Sequence, residues 1–420
     1  GLYLDVCRAA YSDRHNDLGH AAGLARPQNS LWGERHVSIQ PDNRFVDVAP
    51  WTDDADHLGS ERSDMDVSVA RLMWRKFRRH KLALISGLFL AFCYLLLPVA
   101  GFVAPYTPNQ RDAEHLYAPP QSINLWHQGE FIGPYVYETT GEADLVNFRW
   151  VYETDRTSPR KLEFFCKGKA YNLFGLVRSD THLFCAPEGA TVFLWGADRL
   201  GRDVFSRILF GAQLSLTVGL IGITVSFVLG IFFGSIAGYF GGKTDWVINR
   251  MIEILRSLPE LPLWLALSAA VPSNWSPVAV FFVISIILGI LDWPGLARAV
   301  RSKFLSLREE EYVKAAEMMG AKPSRVIRKH LLPNFMSHLI ASATLSIPAM
   351  ILGETALSFL GLGLRAPAVS WGVMLNDAQN LASIEIYWWT AIPMLPIIVV
   401  VLAFNFLGDG LRASLDPYKT

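Results

Sequence analysis

This chain of 420 residues has few cysteines and no formal net charge. None of its four cysteines has the Cys-x-x-Cys spacing of a zinc site, and they are too scattered for a disulfide scaffold: Cys7, Cys93, Cys166 and Cys185. We therefore expect no metal site. The formal net charge is zero, so no strongly basic surface favours a nucleic-acid partner.

Charged side chains are also few, at 18% of residues, whereas 51% of residues are hydrophobic. The mean hydropathy of +0.25 is apolar for a water-soluble protein of this size, which favours a protein of the lipid bilayer. Residues 1–62 lack the apolar core of a signal peptide and any helical or strand periodicity. We expect residues 1–68 to be a flexible cytoplasmic N-terminal tail, or partly an upstream extension of the start site.

Apolar runs suited to membrane helices, which need roughly 20 residues, occur once near residue 90 and then in a cluster after residue 213. There are six such runs: Leu82–Val103, Leu214–Tyr239, Leu258–Val271, Pro277–Leu296, Leu339–Leu360 and Ile386–Leu407. The third is short and is interrupted by Pro259 and Pro262, so we expect it to form a membrane hairpin with the fourth. The pattern predicts an all-α polytopic membrane protein with six transmembrane helices.

The basic residues set the orientation of these helices, because loops rich in Lys and Arg stay in the cytoplasm. A dense basic flank precedes the first helix, so we assign residues 69–104 to this flank and helix. The loop between helices four and five carries nine basic residues, whereas the loop between helices five and six has only Arg365. Both termini are therefore predicted to be cytoplasmic.

Residues 105–195 form a long insertion between helices one and two. It contains the strand-like patches FIGPYVYE, NFRWVYET and KLEFFC, separated by Gly, Pro and Asp turn signals. We predict a small β-rich periplasmic insertion. Cys166 and Cys185 both lie in it, where an oxidising compartment permits a disulfide, but two unpaired thiols are an equally open alternative.

A candidate interface lies in the segment EEEYVKAAEMMGAKPSRVIRKHLLPN, residues 309–334. Its first part has helical spacing, Gly320 supplies a permissive turn, and a second amphipathic stretch is limited by Pro333. Small side chains at Ala315 and Ala316 would let the first helix press into a groove of another protein. The alternative is an ordinary amphipathic loop lying on the membrane surface.

This segment resembles the EAA loop of ABC importer permeases. The paired alanines, the glycine and the final Leu-Pro of that loop are matched by Ala315, Ala316, Gly320, Leu332 and Pro333, while the triplet begins with Lys314 instead of Glu. Four further segments resemble C-type permease subunits of dipeptide and oligopeptide importers, in the same order: GADRLGRDVFSRILFGAQLSL, GYFGGKTD, ETALSFLGLGLRAPAVSWGVML and NFLGDGLRASLDP.

The resemblance covers roughly Val69–Pro417 apart from the insertion, and it implies the fold of a type I ABC importer permease. Residues 196–420 would form the permease core, with five transmembrane helices and a cytoplasmic ATPase-coupling loop at residues 309–334. The coupling residues would be Ala315, Ala316, Glu317, Gly320, Ala321, Ile327, Leu332 and Pro333.

The same resemblance implies a bacterial inner-membrane pore subunit with no catalytic or cofactor site of its own. Its partners would be a second homologous permease, two ATPase subunits that bind ATP and Mg, and a periplasmic solute-binding protein. The solute would be a peptide, with an opine, an oligosaccharide or another small solute as the alternative.

Polar residues inside the predicted spans need a role, because a charge facing lipid is costly. Glu354 and Asn405 are candidates for an intramembrane polar site, as is Asp292, and the alternative for each is a structural hydrogen bond within the bundle. The segment Ala237–Thr244 fits a loose phosphate-loop pattern, but a membrane helix precedes it. We therefore expect a bend at Gly241 and Gly242 rather than an ATP site.

Two rival functions belong to other classes. A membrane-bound enzyme would need clustered titratable residues in the insertion, and its acids and His182 do not have that spacing. A secondary transporter or channel that works alone would lack associated ATPase subunits. Co-purification of ATPases therefore separates this rival from the importer.

Overall fold

The computed structural model describes residues 69–147, 149–173, 177–187, 190–272 and 274–415, so the tail predicted at residues 1–68 lies outside the described residues. The described part is mainly helical. In chain order its α-helices are α1 (Val69–Arg79), α2 (Lys81–Leu96), α3 (Ala100–Val103), α4 (Val204–Phe240), α5 (Gly242–Ser257), α6 (Glu260–Ala269), α7 (Pro277–Leu307), α8 (Glu311–Met318), α9 (Pro323–Val326), α10 (Leu332–Phe359), α11 (Trp371–Asp377), α12 (Leu381–Ile386) and α13 (Met394–Leu415).

Five helical segments of the described chain are long and apolar enough to cross a membrane: Lys81–Val103, Val204–Phe240, Pro277–Leu307, Pro323–Phe359 and Trp388–Ser414. The prediction of an all-α polytopic membrane protein is confirmed. The insertion, residues 105–195, lies at one end of these spans, which we call the insertion side. Residues 308–322 lie at the opposite end, which we call the loop side.

The third predicted span, Leu258–Val271, is not confirmed, and the five spans found keep their predicted numbers: one, two, four, five and six. That stretch holds α6, whose 10 residues rise only about 15 Å, half the thickness of a hydrocarbon core. The amphipathic helix α5 precedes it, and the chain is extended at Leu258, with φ of −89° and ψ of 137°. Because Pro259 follows, Leu258 is pushed out of the helical region, which separates α5 from α6.

Helices α4 and α7 pack closely through a row of small residues at every fourth position of α4. The row comprises Gly222, Ser226, Gly230, Gly234 and Gly238, all of them buried. A Cβ added at Gly234 would lie 2.6 Å from the carbonyl oxygen of Ala297 in α7. Small side chains therefore let the two backbones approach within lipid, where van der Waals packing holds helices together.

The insertion is β-rich, as predicted. Strands β1 (Asn124–His127), β2 (Glu130–Asp144) and β3 (Arg149–Lys161) form an antiparallel sheet in that order, and β4 (Glu163–Leu173) pairs with β5 (Val177–Cys185) as an antiparallel hairpin. The first two predicted patches fall in β2 and β3, whereas KLEFFC straddles the end of β3 and the start of β4. Strands β1 and β5 were not predicted, because their sequences lack a clear alternation of apolar and polar residues.

Two contacts fasten the β4–β5 hairpin near its open end. Cys166 and Cys185 are joined by a disulfide, with their Cα atoms 6.1 Å apart. His182 is 1% exposed, and its ring nitrogens lie 2.6 Å from the carbonyl oxygen of Ala104 and 3.0 Å from that of Lys169. This histidine therefore ties the hairpin to the end of the first span.

A buried ion network joins the start of α4 to α11 on the insertion side. Arg202 and Arg207, which are 4% and 2% exposed, both pair with Asp198 and Asp377. Burial by itself raises the pKa of Asp377, but Arg207 and Arg202 more than offset this and hold its pKa below the ordinary value. The Asp377 carboxyl group therefore stays ionised at neutral pH.

Replacing Asp377 with Asn should destabilise the described fold by about 3 kcal/mol, because two buried guanidinium groups then share one carboxylate. The measurement is the thermal stability of the detergent-solubilised protein. Glu253→Gln is the control, since its ion pair with Arg250 is more than half exposed and should contribute little. Equal stability of both variants would show that the network is dispensable.

Replacing both Cys166 and Cys185 with Ser should make the insertion more sensitive to protease, with a loss of roughly 3 kcal/mol by the chain-entropy model for a loop of this length. Cys93→Ser is the control, because Cys93 is a free, half-buried cysteine of the first span. Thiol labelling of the native, unreduced protein is a direct check. Full modification of both insertion cysteines would exclude the bond.

Candidate functional site

The loop-side segment at residues 309–334 is a helix, a tight turn and a second helix, which we call the helix pair. Helix α8 ends in two backbone hydrogen bonds, from Gly320 N–H to the Glu317 oxygen at 2.9 Å and from Ala321 N–H to the Ala316 oxygen at 3.1 Å. This is a Schellman motif, which requires a left-handed residue at the turn. Gly320 provides it, with φ of +78°.

Pro333 does not limit the second helix, so that prediction is wrong. Helix α9 continues through one π-helical turn at Ile327–Leu331 into α10, which places Pro333 in the first turn of α10. The Leu332 N–H donates to the Ile327 oxygen five residues earlier. The first N–H groups of a helix need no partner within it, so proline is tolerated at the start of α10. The wider π-helical turn before Pro333 absorbs the change in the register of the backbone hydrogen bonds. The helix pair is therefore continuous with the fifth span.

One face of the helix pair is buried against the loop-side ends of the spans. Val313 and Ala316 of α8 and Val326 of α9 are 0–3% exposed, and Val313 and Val326 belong to the same apolar cluster as Phe304 of α7 and Phe335 of α10. This packing fixes α8 to the fourth and fifth spans. Any force applied to α8 therefore acts directly on two membrane helices.

The opposite face presents apolar side chains to the outside. Met318 and Met319, at the tip beside Gly320, are 88% and 82% exposed, and Tyr312 is 40% exposed. Exposed apolar side chains at a protruding tip are typical of an interaction surface, and methionine adapts its shape to a partner. Periodicity alone does not predict that the two methionines are exposed. Their position next to the turn glycine is the feature of the sequence that could have indicated it.

The predicted coupling residues divide between these two faces. Ala316 is buried, Ala321, Ile327 and Leu332 are half-buried, and the remaining four are exposed: Ala315, Glu317, Gly320 and Pro333. Ile327 and Leu332 also line an apolar cleft of about 690 Å³ beside α4. Of the two paired alanines, Ala316 thus packs inside the helix pair and Ala315 lies on its outer surface.

Polar contacts fasten the helix pair to the second span as well. The Tyr239 hydroxyl, near the end of α4, donates to Glu317 Oε1 at 2.7 Å. Within the pair, Asn334 Nδ2 donates to the Tyr312 hydroxyl at 2.8 Å. The pair is therefore held by spans two, four and five together.

The chain bends between α4 and α5 at Gly241 and Gly242, which have φ of +64° and +56°. Asp245, one turn later, forms a two-pronged ion pair with Arg301 of α7. The hydrogen bonds from Arg301 hold the pKa of the Asp245 carboxyl below its usual range. A helix precedes this segment, without the strand of a phosphate loop.

Glu354, the predicted intramembrane candidate, is fully buried and accepts hydrogen bonds from three serines. The hydroxyls of Ser358 and Ser370 lie 2.7 and 2.8 Å from Oε1, and that of Ser215 lies 3.5 Å from Oε2. These serines belong to α10, to the segment before α11 and to α4. The carboxyl group thus joins three parts of the bundle and faces no open pathway.

The other polar candidates are placed differently. Asp292 accepts a hydrogen bond from the Ser226 hydroxyl at 2.8 Å across the α4–α7 contact. Asn405 is half-buried on α13 and is not a partner of Glu354. Among the described residues, no group of three or more His, Cys, Asp and Glu side chains could hold a metal ion.

Comparison with known proteins places the chain among transport permeases. The family described as binding-protein-dependent transport system inner membrane component matches residues 230–419, and the N-terminal membrane domain of oligopeptide transport permease C matches residues 68–120. The dipeptide transport system permease protein of Bacillus subtilis is 42% identical over 223 residues, which are 53% of this chain and 68% of that protein. The oligopeptide transport system permease protein of the same organism is 38% identical, over 57% of this chain and 76% of its own length.

One further relative matches a longer part of the chain, and one similarity is to a solved structure. The dipeptide permease of Lactococcus lactis is 29% identical over 86% of this chain and 96% of its own length. A chain of the MetNI methionine ABC transporter, in an inward-facing conformation, has a TM-score of 0.38 at 20% identity and is matched over 49% of this chain and 95% of its own.

Removing the contact between Tyr239 and Glu317 should loosen α8 without unfolding the spans. We expect Tyr239→Phe and Glu317→Ala each to raise amide hydrogen exchange in α8 by roughly fivefold, which corresponds to about 1 kcal/mol for one hydrogen bond. The double variant should exchange no faster than either single variant, and Glu317→Gln, which keeps an acceptor, should behave as the unmutated protein. Additive effects of the two single changes would show that the residues act separately.

Proposed function

The chain belongs to the family of binding-protein-dependent transport system inner membrane components, and we propose that its helix pair couples import to ATP hydrolysis on partner subunits. The chain is a permease subunit of a peptide ABC importer, embedded in the inner membrane by several spans. It is a pore subunit, not an enzyme.

The observation that carries the proposal is the two-faced packing of the helix pair. Its inner face is fastened to spans two, four and five, and its outer tip presents Met318 and Met319. In the proposed complex, this tip enters a groove on an ATPase subunit. When two ATPase subunits close around ATP and Mg, the tip moves with them, and the attached spans swing the pathway between its two openings.

The remaining parts of the importer follow from the same arrangement. A second, homologous permease completes the pathway, and a periplasmic solute-binding protein delivers the solute on the insertion side. The loop side is cytoplasmic, as are both termini, because the loop between the fourth and fifth spans is strongly basic. The chain then divides into a tail (1–68), the basic flank and first helix (69–104), the periplasmic insertion (105–195) and the permease core (196–420).

Peptides are the proposed solutes because the relatives are dipeptide and oligopeptide permeases. The same machinery could import an opine, an oligosaccharide or another small solute, since specificity rests largely with the binding protein. The mass of the ligand carried by the co-purified binding protein decides between these solutes. A membrane-bound enzyme or a transporter working alone would be supported instead if the chain purified without ATPase subunits.

Two variants of the helix pair test the coupling proposal. Met318→Glu places a charge on the exposed tip, and Gly320→Val places a β-branched residue at positive φ, at a cost of about 1–3 kcal/mol. Because space around Gly320 is open and Met318 is exposed, neither change disturbs the packing of the spans. We expect normal membrane insertion, an approximately tenfold loss of co-purified ATPase, and loss of solute-stimulated ATP hydrolysis and transport.

Lys243→Gln is the matched control for Met318→Glu. It changes the net charge by the same amount on the loop side, at an exposed position outside the helix pair. This control should transport at the unmutated rate in reconstituted complexes. If Gly320→Val and Met318→Glu also do so with their ATPase attached, the helix pair is not the coupling element.

A further inference from the structure

A polar recess of about 640 Å³ opens between the loop-side ends of three spans. Lys303 of α7, His338 of α10 and Arg412 of α13 line it, together with the hydroxyl of Ser306 and the amide of Asn334. The buried ring of Phe335 also lines it. The recess thus combines basic and hydrogen-bonding groups with an apolar side chain.

Among the described residues, the cations of this recess have no acidic partner. Two other loop-side cations are paired, Arg301 with Asp245 and Lys314 with Glu309. Neither Lys303 nor Arg412 forms an ion pair with any residue in the part of the chain that the structure describes. Three basic side chains from separate helices therefore converge on a site that contains no carboxylate.

The depth of the recess matches the headgroup layer of a bilayer. Helix α7 begins at Pro277 on the insertion side, and the 26 residues from there to Lys303 rise about 39 Å. A bilayer including its headgroups is about 40–45 Å thick, so Lys303 lies among the headgroups of the loop-side leaflet. An acyl chain can leave such a site directly along the apolar surfaces of the spans.

We propose that this recess binds the phosphate headgroup of an anionic phospholipid. Lys303 and Arg412 supply the charge for the phosphate, the Ser306 hydroxyl donates a hydrogen bond, and Phe335 contacts the glycerol and upper acyl carbons. Basic pockets between membrane helices on the cytoplasmic side are suited to such headgroups. This inference depends on the placement of the spans in the membrane and not on the proposed coupling role.

The site has a direct connection to the helix pair. Asn334 forms part of the recess and also donates a hydrogen bond to Tyr312 of α8. A bound headgroup would bridge α7, α10 and α13 at the place where the helix pair meets the spans. The lipid would therefore hold these three helices together next to the helix pair.

The test uses the full-length chain, purified in detergent together with its partner subunits. Native mass spectrometry measures the binding of phosphatidylglycerol and of phosphatidylcholine. A double variant, Lys303→Gln with Arg412→Gln, should bind phosphatidylglycerol about 30-fold more weakly, from roughly fivefold for each cation removed near an anionic headgroup. Phosphatidylcholine binding should not change, and Lys303→Arg should retain the preference for phosphatidylglycerol.

Lys322→Gln with Arg325→Gln is the matched control, because it removes the same charge from exposed positions of the helix pair outside the recess. Its phosphatidylglycerol binding should stay within about twofold of the unmutated protein, since surface charges away from the lipid contribute little. Equal losses in both double variants would overturn the proposal, as would unchanged binding by the recess variant. Displacement of phosphatidylglycerol by millimolar inorganic phosphate would instead assign the recess to a free anion.

Discussion

The close contact between α4 and α7 is the constraint on which the rest of the described structure depends. A Cβ at Gly238 would lie 2.7 Å from the Cβ of Phe304, so these helices cannot meet in this way with larger side chains. The contact runs the length of the bundle and ends on the loop side at Phe304. Phe304 is then in place to pack with Val313 and Val326, and so to support the helix pair. Close helix packing and the candidate site are therefore parts of one arrangement.

The two ends of the bundle are held by different interactions. On the insertion side, Asp198, Arg202, Arg207 and Asp377 form a buried network that connects two segments distant in sequence. On the loop side, apolar packing and a few exposed hydrogen bonds hold the helix pair. Buried ion pairs thus hold the insertion side, whereas apolar packing holds the helix pair on the loop side.

Polar groups inside the bundle follow the requirement that buried hydrogen-bonding groups find partners within the protein. Glu354 has three serine donors and Asp292 has Ser226, so neither presents a charge to lipid. These residues connect helices within the bundle.

The sequence by itself determined the features that depend on local pattern. Apolar runs predicted the long spans, turn and strand signals predicted the β-rich insertion, and the spacing around Gly320 predicted a helix pair with its turn. Only the tertiary structure decided that the short helix α6 takes the place of the third predicted span, that the second helix passes Pro333, and that Met318 and Met319 form the outer tip. It also decided the partners of Glu354 and Asp377, because Ser215 is 139 residues from Glu354 and Arg207 is 170 residues from Asp377. Periodicity reports which face of an element is apolar, but the packing of distant segments determines what that face meets.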